Sequence, residues 1–173
     1  MLLQRAFQRH WPRLINLWPP FLGAGIRVTR MAPGWREIDV EMKLRRWNRN
    51  YVGTHYGGSL YSMTDPWFML MLIENLGRDY IVWDKSASIR FRKPGRGLVR
   101  ASFRLSNEQI QEIREALLAA EKIDRTFTVE VKDESGTVIA EVQKQIQVRR
   151  KAAPSSRSSE ENAGDIAIGA SRS

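Results

Sequence analysis

The chain is 173 residues long and carries 28 Lys and Arg against 19 Asp and Glu, a formal charge of +9. That length suffices for one domain with a real core, and 42% hydrophobic with 27% charged residues marks a globular rather than a disordered chain. Cysteine is absent, which excludes disulfides, thiolate zinc sites and a cysteine nucleophile and favours a reducing compartment over secretion.

The last 24 residues hold four basic residues (Arg150, Lys151, Arg157, Arg172) and three acids (Glu160, Glu161, Asp165), so +8 of the charge sits in residues 1–149. The excess therefore belongs to the folded part. Nucleic acid, a membrane surface or a phosphorylated small molecule would each suit it, and composition does not choose among them. Arg5, Arg9, His10 and Arg13 interrupt any signal-peptide core. The longest apolar stretch, residues 66–73, is far short of a membrane span. A soluble, cytoplasmic protein without a transmembrane segment is expected.

In residues 2–17, Leu3, Phe7, Trp11, Leu14 and Trp18 fall at helical spacing with the arginines off the stripe. Pro12 weakens this N-terminal amphipathic helix and Pro19-Pro20 is expected to end it, by residue 22. Its apolar stripe fits packing against the body or a partner subunit better than lying on a membrane. Strands are predicted over 25–31 and 36–44, parted by the turn Ala32-Pro33-Gly34; in the second, Ile38, Val40, Met42 and Leu44 alternate with polar residues. A polar loop, 45–54, follows. From Gly57 to Leu76 the chain is almost wholly apolar and predicts one central helix buried nearly all round.

Residues 80–92 alternate again, with Ala87, Ile89 and Phe91 on one side and Ser86, Ser88, Arg90 and Arg92 on the other. The turn 93–97 and a strand over 98–105 come next. Ser106 and Gln109 form a capping-box signature ahead of a helix to about Glu121, with Ile110, Ile113 and Leu117 on its apolar face. Strands over 127–132 and 138–148 flank the hairpin turn Asp133-Glu134-Ser135-Gly136. Residues 150–173 are rich in Ser, Ala and Gly without periodicity and read as a disordered tail. The order implies an α+β fold: an antiparallel sheet wrapped around one buried central helix, with a helical insertion between late strands, over residues 23–149.

The chemistry-bearing residues cluster in 50–66: Asn50, Gly53, His55, Tyr56, Gly57, Gly58, Ser59, Ser62 and Asp65. Two glycines at a helix start leave backbone N–H groups unscreened, and these can polarise a carbonyl or bind an anion. In a continuous helix Asp65, seven after Gly58, shares a face with it and with Ser62; a carboxylate among apolar residues is costly unless paired or used. Pro66 removes a helix donor and disfavours α geometry at Asp65, so Asp65 capping a second helix is an equal alternative. Ser59 and Ser62 have only His55 nearby as base, which speaks against a serine triad.

Asn50, Gly53, Gly57, Gly58 and Asp65 stand at the intervals of a known signature. The stretch resembles that of hotdog-fold acyl-CoA thioesterases of the phenylacetate-degradation type, in which Asn, a Gly three on and His-Gly-Gly precede an Asp seven after the second Gly. Residues 88–95 resemble the strand and turn after that family's helix. Residues 61–72 and 80–97 are similar to a poorly characterised hotdog group that includes tetrameric acyl-CoA thioesterases. The family's His before the glycines is Tyr56 here, with His55 one position early. The resemblance spans about residues 20–149 and implies a homodimer or homotetramer with an acyl-CoA substrate and no metal or cofactor. Gly57 or Gly58 N–H would polarise the carbonyl, and Asp65, from across a dimer interface, would act as general base or nucleophile. Asn50 would orient the water or carbonyl, and His55 or Tyr56 would add a donor.

The basic clusters then acquire a candidate role. Arg90, Arg92, Lys93 and Arg96, or Arg45, Arg46 and Arg49, would grip the phosphates of coenzyme A, with a solvated sheet face as the alternative for each. Trp67, Phe68, Met69 and Met71 either line an acyl tunnel or fill the core. A non-catalytic module binding acyl-CoA or acyl groups is the second reading. Association with nucleic acid or a membrane surface is the third, with no recognisable nucleic-acid motif behind it.

Overall fold

The computed structural model describes residues 14–151. The apolar stripe ahead of Leu14 and the tail beyond Lys151 lie outside the described residues. Among the described residues Leu14 and Ile15 are helical, and four complete helices and six strands follow in chain order: α1 (Pro19–Ala24), β1 (Ile26–Met31), a 3-10 turn (Pro33–Trp35), β2 (Glu37–Lys43), α2 (Gly57–Ser62), α3 (Trp67–Leu76), β3 (Tyr80–Phe91), β4 (Leu98–Arg104), α4 (Asn107–Ala119), β5 (Lys122–Asp133) and β6 (Val138–Arg150). The strands form one antiparallel sheet in the order β1-β2-β4-β5-β6-β3.

Strict alternation places Ile38, Val40 and Met42 of β2, Val99, Ala101 and Phe103 of β4, and Val129 and Val131 of β5 on the inner face. The sheet curls around α3, whose Trp67 ring lies tilted against Phe103 at 6.1 Å and whose Phe68 ring meets Phe103 edge-on at 5.3 Å and stacks on Phe127 at 4.8 Å. The α4 helix starts on a complete capping box between Ser106 and Gln109 and packs against α3 and β5.

The helical residues Leu14 and Ile15 give way to a turn before Pro19. Pro19 and Pro20 then open a new helix, α1, because Pro is preorganised for the first helical turn, and Phe21 packs against Trp67 at 5.7 Å. Two sequence expectations need correction. The central helix is two helices. Pro66 has no N–H to continue the ladder, the Asp65 N–H reaches the Ser62 carbonyl only at 3.4 Å, and the Met63 carbonyl accepts the Trp67 indole N–H at 2.8 Å. Nor is it buried all round, since Ile73 and Glu74 face outward.

Among the described residues β3 pairs only with β6, which leaves it a free sheet edge 12 residues long, with Trp83 and Phe91 exposed. A bulge between Asp84 and Ser86 offsets its register. No helix among the described residues is long and apolar enough to cross a membrane.

Candidate functional site

The glycine pair stands where the spacing placed it, in the first turn of α2 behind Tyr56 as N-cap. Both positions are crowded by rings: a Cβ on Gly57 would meet the Phe91 ring at 2.9 Å, and one on Gly58 the Tyr56 ring at 2.5 Å. Only glycine lets those rings lie over the helix start. The loop leading in is held by buried Asn48, whose side chain accepts the Arg45 N–H at 2.7 Å and donates to the carbonyls of Ala24 and Lys43. Nothing in the sequence marked Asn48.

Asn50 and His55 brace the wall beside Gly57. The Asn50 side chain accepts the Thr54 N–H at 2.9 Å and donates to the Thr54 hydroxyl at 2.9 Å and, weakly, to the His55 carbonyl at 3.4 Å. His55 is 2% exposed. Its N–H donates to the Gly95 carbonyl at 3.0 Å and its Nε2 to the Gly97 carbonyl at 3.1 Å. A carbonyl only accepts, so Nε2 carries the proton, and Nδ1 is a buried acceptor without a hydrogen-bond partner. Burial pushes the imidazole below its ordinary pKa, against the opposing bond to Gly97.

Asn50, His55 and Gly57 share an open cleft of about 620 Å³ with Phe91, Arg92, Lys93 and Arg96. One cavity thus joins the glycine end of α2 to three cations of the 92–96 turn, of which Arg92 reaches Glu141 at 3.5 Å. Other expected members stand apart. Arg90 and Arg49 are exposed outside this cleft, Tyr56 is 59% exposed, and the Ser62 hydroxyl donates to the Gly58 carbonyl at 2.8 Å within α2. Arg45 lies over the Trp47 ring at 5.2 Å.

Asp65 sits at the other end of α2, in the break before α3, and caps neither helix with its side chain. It stands eight residues after Gly57, beyond the six-residue α2, and does not line the cleft. Its carboxylate is engaged by residues the sequence reading passed over. Tyr61 donates its hydroxyl to Oδ1 at 2.8 Å, and Lys144 donates to Oδ1 at 2.9 Å and to the Asp65 backbone carbonyl at 2.6 Å. Lys144 also reaches Asp84 Oδ2 at 2.7 Å, while Asp84 Oδ1 is buried without a hydrogen-bond partner.

The signal for Lys144 was legible. Residues 140, 142, 144, 146 and 148 of β6 read Ala, Val, Lys, Ile and Val, so a lysine occupies the inner face of a buried strand. Tyr61, four residues before Asp65, was equally visible as a helical neighbour. Burial alone would lower the Lys144 pKa, but its bonds to Asp84 and Asp65 outweigh it and hold it above the ordinary lysine value. Burial and the bond to Asp65 raise the Tyr61 phenol. Of the bulky residues, Trp67, Phe68 and Met71 fill the core; Met69 lines a separate apolar groove of about 460 Å³ with Trp18, Pro66 and Leu70.

The profile of the DUF4442 family, a domain of unknown function, matches residues 6–148. No match is found among curated proteins. Among solved structures, PA5026 from Pseudomonas aeruginosa, a protein of unknown function named a probable thioesterase, aligns with a TM-score of 0.69 and 24% identity over 81% of this chain and 93% of its own. Thioesterase HI1161 from Haemophilus influenzae aligns at 0.58 with 12% identity, over 79% of this chain and 87% of its own. A variant of thioesterase PA1618 from Pseudomonas aeruginosa aligns at 0.60 with 10% identity, over 82% and 94%. The chain belongs to the DUF4442 family, and its fold is the hotdog fold of these thioesterases.

Proposed function

We propose that the protein hydrolyses acyl-CoA thioesters as a two-fold dimer, with each site built from two chains. The observation that carries this reading is the single cleft that holds the Gly57 end of α2 and the cations Arg92, Lys93 and Arg96. The first N–H groups of a helix have no intrahelical acceptor and suit a carbonyl oxygen that gains negative charge. The three cations suit the phosphates of coenzyme A at the other end of the same ligand. The names of the structural neighbours point the same way.

Within one chain the carboxylate and the cleft lie at opposite ends of α2, so Asp65 reaches the thioester only from a second copy. The free β3 edge, flanked by exposed Trp83 and Phe91, is the surface through which a copy would add its own edge and close the sheet. In the reaction Asp65 takes a proton from water as the water oxygen bonds to the carbonyl carbon. The resulting oxyanion re-forms the carbonyl as the carbon–sulfur bond breaks, and the thiolate takes up the proton. Direct attack by Asp65, followed by hydrolysis of the anhydride, is the other route open to the same carboxylate. Asn50 and His55 shape the wall beside the carbonyl, and with Nε2 held by Gly97, His55 serves as a support. The groove bordered by Pro66 and Met69 is the apolar surface nearest Asp65 and suits the acyl chain.

A panel of short, medium, long-chain and aryl acyl-CoAs tests the proposal. Turnover is expected with at least one, and Asp65→Ala should lower kcat by about 10²–10⁴-fold; activity unchanged by that substitution refutes the role of Asp65. The absence of any carboxylate from the cleft of a single chain favours one other reading, a module that binds acyl-CoA without hydrolysing it. Saturable binding without turnover across the panel would select it. Sedimentation decides between dimer and tetramer.

A further inference from the structure

The Lys144 ammonium has three N–H donors, and all three are used: on the Asp65 backbone carbonyl, on Asp65 Oδ1 and on Asp84 Oδ2. Two of these bonds go to one residue and tie the Asp65 side chain to its own backbone, which fixes its rotamer. Oδ1 accepts a further bond from the Tyr61 hydroxyl, whereas no described residue donates to Oδ2. The Asp65 side chain is 47% exposed and that of Lys144 only 1%. One carboxylate oxygen is therefore tied inward and the other left to face the outside.

We propose that Lys144 is the positioning residue of this site: with Tyr61 it holds Asp65 by Oδ1 and by its backbone carbonyl, so that Oδ2 is the oxygen presented to the reaction. This rests on the reading of Asp65 as the reacting carboxylate. Stability alone is a poor reason for a lysine at this place. An apolar side chain on the inner face of β6 would pack among Val142 and Ile146 without the desolvation of an ammonium, and replacing buried ion pairs with apolar groups is often neutral or stabilising. What the lysine adds is direction, because its donors converge on the break between α2 and α3, where Pro66 has already taken the backbone out of the helix. Asp84, from the edge strand β3, accepts the remaining donor of the ammonium at 2.7 Å. Tyr61 from α2, Lys144 from β6 and Asp84 from β3 are the titratable groups that meet here.

The test is a double-mutant cycle on the thioester that the wild type turns over fastest. Lys144→Met keeps the length of the side chain and removes the charge. It is expected to lower kcat by about 10²-fold, the scale of a 1 Å misplacement, with little change in KM. In an Asp65→Asn background it should add no further loss. A folded Lys144→Met enzyme with wild-type kcat, or losses that multiply in the double variant, overturns the proposal. Should Lys144→Met fail to fold, Tyr61→Phe carries the same cycle, with an expected loss of about tenfold that likewise vanishes beside Asp65→Asn; losses that multiply again overturn it. If the wild type hydrolyses no thioester, the hydrolase reading falls and the anchor is read separately from the titration of the Lys144 ammonium by nitrogen-15 NMR. The wild-type ammonium should stay protonated beyond the ordinary lysine range, and Asp65→Asn should bring its titration down. An unmoved titration overturns the anchor itself.

Discussion

Two alanine substitutions at glycines separate the effect of a close approach from the effect of what lies there. A Cβ on Gly58 would stand 2.5 Å from the Tyr56 ring, and one on Gly95 would stand 2.9 Å from Ile139 and 3.2 Å from His55. By distance alone Gly58→Ala is the worse. The neighbours reverse the order, since Tyr56 is 59% exposed and swings away, whereas Ile139 and His55 are each 2% exposed with nowhere to go. For Gly58→Ala the lost ring contact is set against a helix-propensity gain of up to about 1 kcal/mol, and the two nearly cancel. For Gly95→Ala the reduced freedom of the unfolded chain returns about 0.4–1 kcal/mol, against an overpacking penalty of about 1–3 kcal/mol. The displaced His55 also strains its bonds to Gly95 and Gly97. Net losses of about 0 and about 1–2 kcal/mol should appear in urea unfolding at pH 7.5, with Gly95→Ala the less stable. If Gly58→Ala proves the more destabilised, Tyr56 is held in place and the reasoning fails.

The His55 pKa is depressed, so its contribution is intact above the unfolded value of about 6.5 and is lost as pH falls through the folded value. Urea midpoints at pH 7.5 and pH 5 should therefore fall further for the wild type than for His55→Asn. Lys144 and Tyr61 are both raised, so their contributions hold below about pH 10 and are lost as pH rises through the folded values; Lys144→Met should flatten the alkaline limb of stability. Trp67→Ala removes a fully buried indole and the donor to Met63 and should destabilise by about 3–5 kcal/mol in the same unfolding assay. Ser106→Ala breaks the capping box of α4 and should destabilise by about 0.5–2 kcal/mol without affecting turnover.

Much of the fold was legible because strand alternation and capping act locally. Ile38, Val40 and Met42 declared their face by period two, and Ser106 with Gln109 declared the start of α4. The split of the central helix was half legible. Pro66 marked the break, but that the Trp67 indole would take up the Met63 carbonyl depends on how the ring packs. The N-terminal end of β5 was missed because residues 122–126 carry too little apolar signal, and only pairing with β6 extends the strand.

At the site, the local motif located Gly57, Gly58, Asn50 and Asp65 but not their relation. In one continuous helix Gly58 and Asp65 share a face; in the folded chain Asp65 meets Lys144, 79 positions further along the sequence, which in turn bonds Asp84. A lysine within a buried alternating strand was visible on inspection, whereas the carboxylates it would meet follow only from the register of β3 on β6. Arg90 and Arg92 share the polar face by alternation, yet β3 ends at Phe91, and only Arg92, in the turn beyond it, lines the cleft.

Complementation between two inactive variants tests the shared site most directly. Asp65→Asn lacks the carboxylate, and Gly57→Val fills the start of α2 where the Phe91 ring lies. In a two-fold dimer joining one of each, one site has both defects and the other has neither. Joint refolding of equal amounts should recover about one quarter of wild-type turnover, the share of intact sites from random pairing, while each variant refolded alone stays inactive. A mixture that forms mixed dimers and remains inactive would contradict the account.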